Sequence, residues 1–237
     1  MAAFFLVDGP RRARWLTPAE QDFLVAQHAA ETQGKGGHAH SLQALGQALR
    51  NPRLYLFAFI YFALTCGSLT LSFWMPLMIR DFGIRDVMAI SLYSVIPNAI
   101  GAVGLILIAR RSDRLGERHG HFLCCTAGGA LALAALTLHV PSLVVSLAIL
   151  SVAAVLIFAA LPIFWSLPPS HLPAQTAATG IAFISSIGIT SGIISPWVIG
   201  QIKTHTGSMD NALYLLAGLL LASGLAMWKG IPRTRQP

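Results

Sequence analysis

Residues 54–79 read LYLFAFIYFALTCGSLTLSFWMPLMI, a run of 26 positions without one charged side chain. A helix of that length, rising about 1.5 Å per residue, crosses the roughly 30 Å hydrocarbon core of a bilayer with residues to spare. Five further uncharged runs follow at 87–109, 122–139, 142–166, 174–202 and 211–228. Helices of soluble bundles are rarely so long without charge, and six in succession make the bilayer the solvent. The sequence therefore predicts an all-α integral membrane protein of six transmembrane helices.

The remaining composition agrees. Of 237 residues, 55% are apolar and 11% charged, against roughly 25% charged in an ordinary soluble domain. Sixteen Lys and Arg against nine Asp and Glu give a formal charge of +7. A basic excess raises the question of nucleic acid, but every Lys and Arg lies between or beside the apolar runs and none within one, which is how membrane chains place them. With the N-terminal segment inside, 13 of these cations face the cytoplasm and three (Arg80, Arg85, Lys203) face out, so both termini are expected to be cytoplasmic. Three parts follow: 1–53, the end of a preceding helix plus a cytoplasmic linker; 54–229, the six-helix bundle; and 230–237, a cytoplasmic tail.

Within the linker, Thr17-Pro18-Ala19-Glu20 reads as a capping box with Pro at the first helical position, opening a helix to about Glu31. The Gly-rich stretch 34–40 breaks it, Ser41 caps a second short helix to Arg50, and Asn51-Pro52 turns the chain into the membrane. Residues 1–7 lack the basic n-region of a secretory signal. His38 and His40 have no third ligand nearby in sequence, and Cys66, Cys124 and Cys125 fall inside apolar runs as expected buried small residues. No metal and no cofactor is implied. All nine acids lie outside the runs, so this chain supplies no proton-carrying carboxylate at depth and none of the paired carboxylates a membrane enzyme would use.

Polar side chains do occur within the runs. Tyr61, Thr65, Ser68 and Ser72 share one helical face within about 60°. Ser91, Ser94 and Asn98 share another, with Pro97 and Gly101 offering a kink beside Asn98. Each stripe can line a cavity or hydrogen-bond between packed helices. Ser185, Gly188, Gly192, Pro196 and Gly200 make a small-residue face suited to close or sliding contact. Trp165, in Leu161-Pro162-Ile163-Phe164-Trp165-Ser166-Leu167-Pro168-Pro169, is an interfacial anchor or a stacking wall at a broken helix end.

The turn Ala109-Arg110-Arg111-Ser112-Asp113-Arg114-Leu115-Gly116-Glu117-Arg118 resembles the major facilitator loop motif G-x-x-x-D-R-x-G-R-R, a latch of acid and base at cytoplasmic helix ends. Asp113, Arg114, Gly116 and Arg118 match it, while Ala109 and Glu117 depart from it. In that superfamily the motif recurs after the second helix of each half, and here it follows the second span.

The chain as a whole resembles the second half of the anion:cation symporter family, the tartrate, hexonate and phthalate permeases. The likeness runs from Arg11-Arg12-Ala13-Arg14-Trp15 through Asn51-Pro52-Arg53, Leu71-Ser72-Phe73-Trp74-Met75-Pro76, Ser91-Leu92-Tyr93-Ser94-Val95-Ile96-Pro97 and Phe164-Trp165-Ser166-Leu167-Pro168 to the Gly-rich fifth span. It implies the C-terminal half of a major facilitator fold, a 3+3 inverted repeat, with 1–7 ending helix six and the spans forming helices seven to twelve. It further implies proton-driven uptake of a small carboxylate across the inner (plasma) membrane, with Tyr61, Asn98, Trp165 and Ser185 as substrate contacts. The anion-pairing Arg and the proton-carrying acid would belong to an N-terminal half. Ile184-Ser185-Ser186-Ile187-Gly188-Ile189 lacks both Asn of the family's F-N-S-x-G-N run, which leaves the ligand open. A half cannot enclose a site, so transport requires an N-terminal partner or self-association. The rival expectation is a non-transporting product, either truncated or a membrane scaffold.

Overall fold

Hydrocarbon offers backbone N–H and C=O groups no water, so each apolar run satisfies its own groups as a helix. The computed structural model describes residues 17–32, 46 and 49–232. Its helices are α1 (Pro18–Thr32), α2 (Pro52–Arg80), α3 (Val87–Leu115), α4 (Arg118–Leu136), α5 (Leu143–Trp165), the short α6 (Pro168–His171), α7 (Ala174–Thr206) and α8 (Asp210–Gly230). All but α1 and α6 are long and apolar enough to cross a membrane, and no strand occurs among the described residues.

The helix boundaries follow local chemistry. Helix α1 belongs to a separate unit, Met1–Gln47. There the amide and hydroxyl of Thr17 both donate to Glu20 Oε2, at 2.9 and 2.8 Å. The backbone bond first, and the hydroxyl second, hold the Glu20 carboxyl below its ordinary pKa. That support for the helix start persists as pH falls until the lowered value is reached. Of the second surface helix expected over 41–50, only 46, 49 and 50 are described; residues 1–7, His38 and His40 lie outside the described residues.

Asn51 opens α2, its side chain accepting from the Arg53 amide, with Pro52 at the first helical position. The Asp86 carboxylate caps α3 by accepting from the amides of Met88 and Ala89. Helix α5 stops at Trp165, and α6 makes the corner into α7, as the Pro-rich stretch 161–169 suggested.

The six spans pack in an ordered exchange. Helix α2 lies chiefly against α7, α3 against α5, and α4 against α8; α4 also meets α5, and α8 meets α2. Replacing α2 by α5, α3 by α7 and α4 by α8 turns α2–α7 into α5–α3 and α4–α5 into α8–α2. The packing is thus that of two three-helix repeats. Because each repeat has three spans, an odd number, the second enters the membrane from the opposite side.

Helix α5 is the hub, burying Leu150, Ala153, Ala154, Ile157, Ala160 and Phe164. Close approach to it is set by small residues. A Cβ added at Gly104 would overlap the Val155 side chain, and one at Gly101 would press on Phe158 and Ala154. Gly101 is therefore a packing site against α5, and α3 continues as a helix through Pro97 and Asn98. Cys66 and Cys125 are buried as expected, but Cys124 is exposed, because it lies on the face of α4 turned from the bundle.

Replacing Gly104 with Val should push α3 off α5 and cost about 1–3 kcal/mol. Gly218→Ala, where an added Cβ meets nothing within 4 Å, should leave the thermal midpoint in detergent nearly unchanged. Equal midpoints for the two variants would refute the close α3–α5 contact.

Candidate functional site

Thr70, Ser191 and Ser195 bring buried polar groups to the seam between α2 and α7. Both helices run the same way, and contacts advance together along them: Tyr55 with Phe183, Tyr61 with Gly188, Leu69 with Gly192, Thr70 with Ser195. A Cβ at Gly188 would overlap the Tyr61 ring, so the absence of a side chain there is what seats it. Thr65 Oγ1 reaches the Gly188 carbonyl at 3.1 Å across the seam, and Tyr61 O and Phe62 O on its own helix. Five residues on from Thr65, the hydroxyls of Thr70 and Ser195 meet at 3.2 Å. Ser191, wholly buried on the same face of α7, has no hydrogen-bond partner among the described residues, and neither has the Trp74 indole nitrogen.

Tyr61 is also the centre of an aromatic cluster. Its ring stacks on Phe164 at 5.4 Å and 13°, and meets Trp165 edge-on at 4.8 Å. Phe164 and Trp165 in turn meet at 5.4 Å and 75°. Of the four sequence-expected substrate contacts, Tyr61 and Trp165 are thus joined directly. Ser185, partly buried, lies one helical turn before Gly188.

Asn98 stands apart from this cluster. Its amide donates to Ser94 O at 2.8 Å and lies 3.7 Å from Met75 Sδ. Met75 is fourteen residues beyond Tyr61 on α2, a rise of about 21 Å. Ser91 and Ser94 likewise bond back to Val87 O and Ile90 O. The stripe on α3 therefore satisfies its hydroxyls within its own helix.

The latch residues lie at the end of the bundle that carries Arg53, Arg110, Arg111, Arg114, Arg118 and Lys229, called here the basic end. Gly116 closes α3 at φ 65°, a left-handed conformation that a Cβ disfavours. The turn it makes lets Arg118, first residue of α4, donate to Ser166 O at 3.2 Å, with its other nitrogen 3.8 Å from Asp113. Asp113 is 67% exposed, so this pair contributes little by itself. The carbonyl bond, which ties the α3–α4 turn to the end of α5, is the firmer of the two contacts. Arg114 is exposed and enters no ion pair among the described residues.

The opposite end is pinned by pairs that no local motif announced. Lys203 and Asp81 meet at 3.8 Å and link α7 to α2. His139 Nε2 meets Asp210 at 2.9 Å, and the Thr137 hydroxyl donates to Tyr214 OH at 2.8 Å, so the α4–α5 turn grips the first turn of α8. Asp81, Lys203, His139 and Asp210 rim a cavity of about 460 Å³.

The acids described in the bundle, Asp81, Asp86, Asp113, Glu117 and Asp210, all sit at helix ends. No trio of metal-ligating side chains occurs among the described residues. The aromatic cluster and the α2–α7 seam offer ring faces and neutral hydrogen-bonding groups.

Comparison with known proteins places this architecture. The family model described as the Major Facilitator Superfamily matches residues 1–196. A protein of Agrobacterium vitis named "Putative tartrate transporter" is 38% identical over 224 residues, covering 94% of this chain and 48% of its own length. The "Quinolone resistance transporter" of Acinetobacter baumannii is 35% identical, over 92% of this chain and 49% of its own length. The "Inner membrane transport protein RhmT" of Escherichia coli is 32% identical, over 94% and 49%. The chain spans about half the length of these curated relatives.

Gly116→Ala should lower the stability of the chain in detergent by about 1 kcal/mol, because alanine resists a left-handed cap. Gly120→Ala, on α4 four residues later, should be neutral. A thermal unfolding comparison checks this; a loss at Gly120 equal to that at Gly116 would show that the cap is not the cause.

Proposed function

The chain belongs to the Major Facilitator Superfamily, a family of transporters and not of enzymes. From that premise we propose that it forms the C-terminal wall of a carrier for a small organic anion such as tartrate or a sugar acid. Uptake is coupled to protons and proceeds by alternating access against a separate N-terminal six-helix half or a second copy of the chain. The carrier sits in the inner (plasma) membrane with both termini cytoplasmic, as the 13 to 3 distribution of basic residues favours.

The observation that carries this reading is the unequal burial of the spans. Only 11% of the most apolar stretch of α3 and 22% of that of α7 are buried in the bundle, against 44–56% for the other four. Helices α3 and α7 are equivalent members of the two repeats, and each leaves large apolar residues open: Val95 and Ile106 on α3, Ile189, Ile193 and Trp197 on α7. A second six-helix body fits against such a pair. Placing every described acid of the bundle at a helix end supports assigning the proton carrier to that second body.

Tyr61, Trp165 and Ser185 form the part of the wall nearer the basic end, where rings stack on a flat carboxylate or hydroxyacid and hydroxyls donate to it. Asn98 contributes about 20 Å further along the bundle, on the other side of the midplane. The conformational latch of Asp113, Gly116 and Arg118 holds the α3–α4 turn to α5 while the halves rock. Tyr61 seated against Gly188, with Thr65 bonded to the Gly188 carbonyl, keeps α2 and α7 together as one body while the halves rock.

Tartrate counterflow in proteoliposomes tests the proposal. The chain as a monomer should give no saturable uptake, and the chain paired with an N-terminal half or with a second copy should give it. Tyr61→Phe should then raise KM severalfold, since the stack on Phe164 remains and only the hydroxyl is lost. Saturable uptake by the monomeric chain alone would refute its incompleteness, and accumulation of a quinolone but of no carboxylate would refute the substrate class.

A further inference from the structure

The last turns of α3 hold a cluster that the proposed transport does not use. Leu107, Arg110, Arg111, Arg114 and Leu115 line an open groove of about 430 Å³. Their spacing of i, i+3, i+4, i+7 and i+8 places them within an arc of about 140° on the helix. All five are exposed, and the three guanidinium groups enter no ion pair among the described residues. Asp113, the acid nearest in sequence, is turned to Arg118 instead.

We propose that this groove seats the headgroup of an anionic phospholipid. Three uncompensated guanidinium groups at a helix end match a phosphodiester in charge, and their paired N–H donors match its oxygens in geometry. A soluble anion would need only the arginines. The face beyond them is apolar: Ile96, Ile100, Val103 and Leu107 form an exposed stripe running from the groove toward mid-membrane. From Leu107 back to Ile96 the stripe covers about 16 Å, the depth of one leaflet. Headgroup and acyl chain are thus both matched on a single helix face.

This face is turned about 100° from Val95 and Ile106, so a lipid here and a second six-helix body there do not compete. The inference rests on the membrane reading alone and not on the substrate or the partner. The lipid would hold the end of α3 at a fixed height in its leaflet, beside the turn that Arg118 latches to α5.

Native mass spectrometry of the full chain in detergent, titrated with phosphatidylglycerol and with phosphatidylcholine, provides the test. The chain should prefer phosphatidylglycerol by about tenfold or more. The variant Arg110→Gln/Arg111→Gln/Arg114→Gln should lose that preference, and Arg80→Gln/Arg85→Gln, at the opposite end, should keep it. Phosphatidylglycerol carrying a photoreactive acyl chain should cross-link the unaltered protein within residues 96–115, a readout that does not depend on how any variant folds. The proposal is overturned by an absent preference, by equal loss in both variants, or by cross-links elsewhere. Displacement of the lipid by millimolar inorganic phosphate would overturn it in favour of a soluble anion. Loss of lipid binding when an N-terminal half is added would overturn it in favour of a protein contact.

Discussion

A hydrogen-bonding group in hydrocarbon must find its partner inside the protein, and that constraint shapes this molecule at every level. It makes each apolar run a helix, and it also governs the side chains within the runs. Ser72, Ser91, Ser94, Thr126, Ser151 and Ser186 all donate to the carbonyl four residues earlier in their own helix. A helix that has satisfied itself in this way can face lipid or another helix without further cost. Among the hydroxyls that reach across a seam, Thr65 and Thr70 match α2 to α7, and Thr137, on Tyr214, joins the end of α4 to α8.

With hydrogen bonds so largely internal, shape decides how the spans assemble. Gly101 and Gly104 let α3 approach α5, Gly128 and Gly129 let α4 approach the same helix, and Gly188 admits the Tyr61 ring. The result is a pair of inverted three-helix repeats clasped at both ends. Arg118 on the Ser166 carbonyl holds the basic end, and the pairs Lys203–Asp81 and His139–Asp210 hold the other. Between the clasps lies an interior with ring faces and neutral hydrogen-bonding groups, and beyond them two spans, α3 and α7, with much of their surface open.

Much of this was legible in the sequence because it depends on local chemistry. Run length gave the six spans, Asn51-Pro52 the entry to α2, and Gly116 the turn between α3 and α4. What sequence could not supply was the neighbour of each face. Tyr61 and Asn98 both sit on polar stripes, yet one stacks on Phe164 and the other lies beside Met75, some 20 Å away along α2. Gly101 reads locally as a companion to Pro97, and only the position of Phe158 makes it a packing site. Ser191 and Ser195 escaped notice beside the more conspicuous glycines, although their spacing from Gly188 places them on its face. His139 and Asp210 are 71 residues apart, and nothing in either segment announces the other.

The central claim is that six helices cross the bilayer in alternating directions, so that the second repeat is the inverse of the first. Single-cysteine labelling tests it directly, in a chain whose Cys66, Cys124 and Cys125 are replaced by alanine. Cysteines placed one at a time at Arg85, Pro141 and Thr206 should react with an impermeant reagent from outside intact cells. Those at Glu117, Ser170 and Lys229 should react only after the membrane is opened. Two successive turns labelled from the same side would contradict the account.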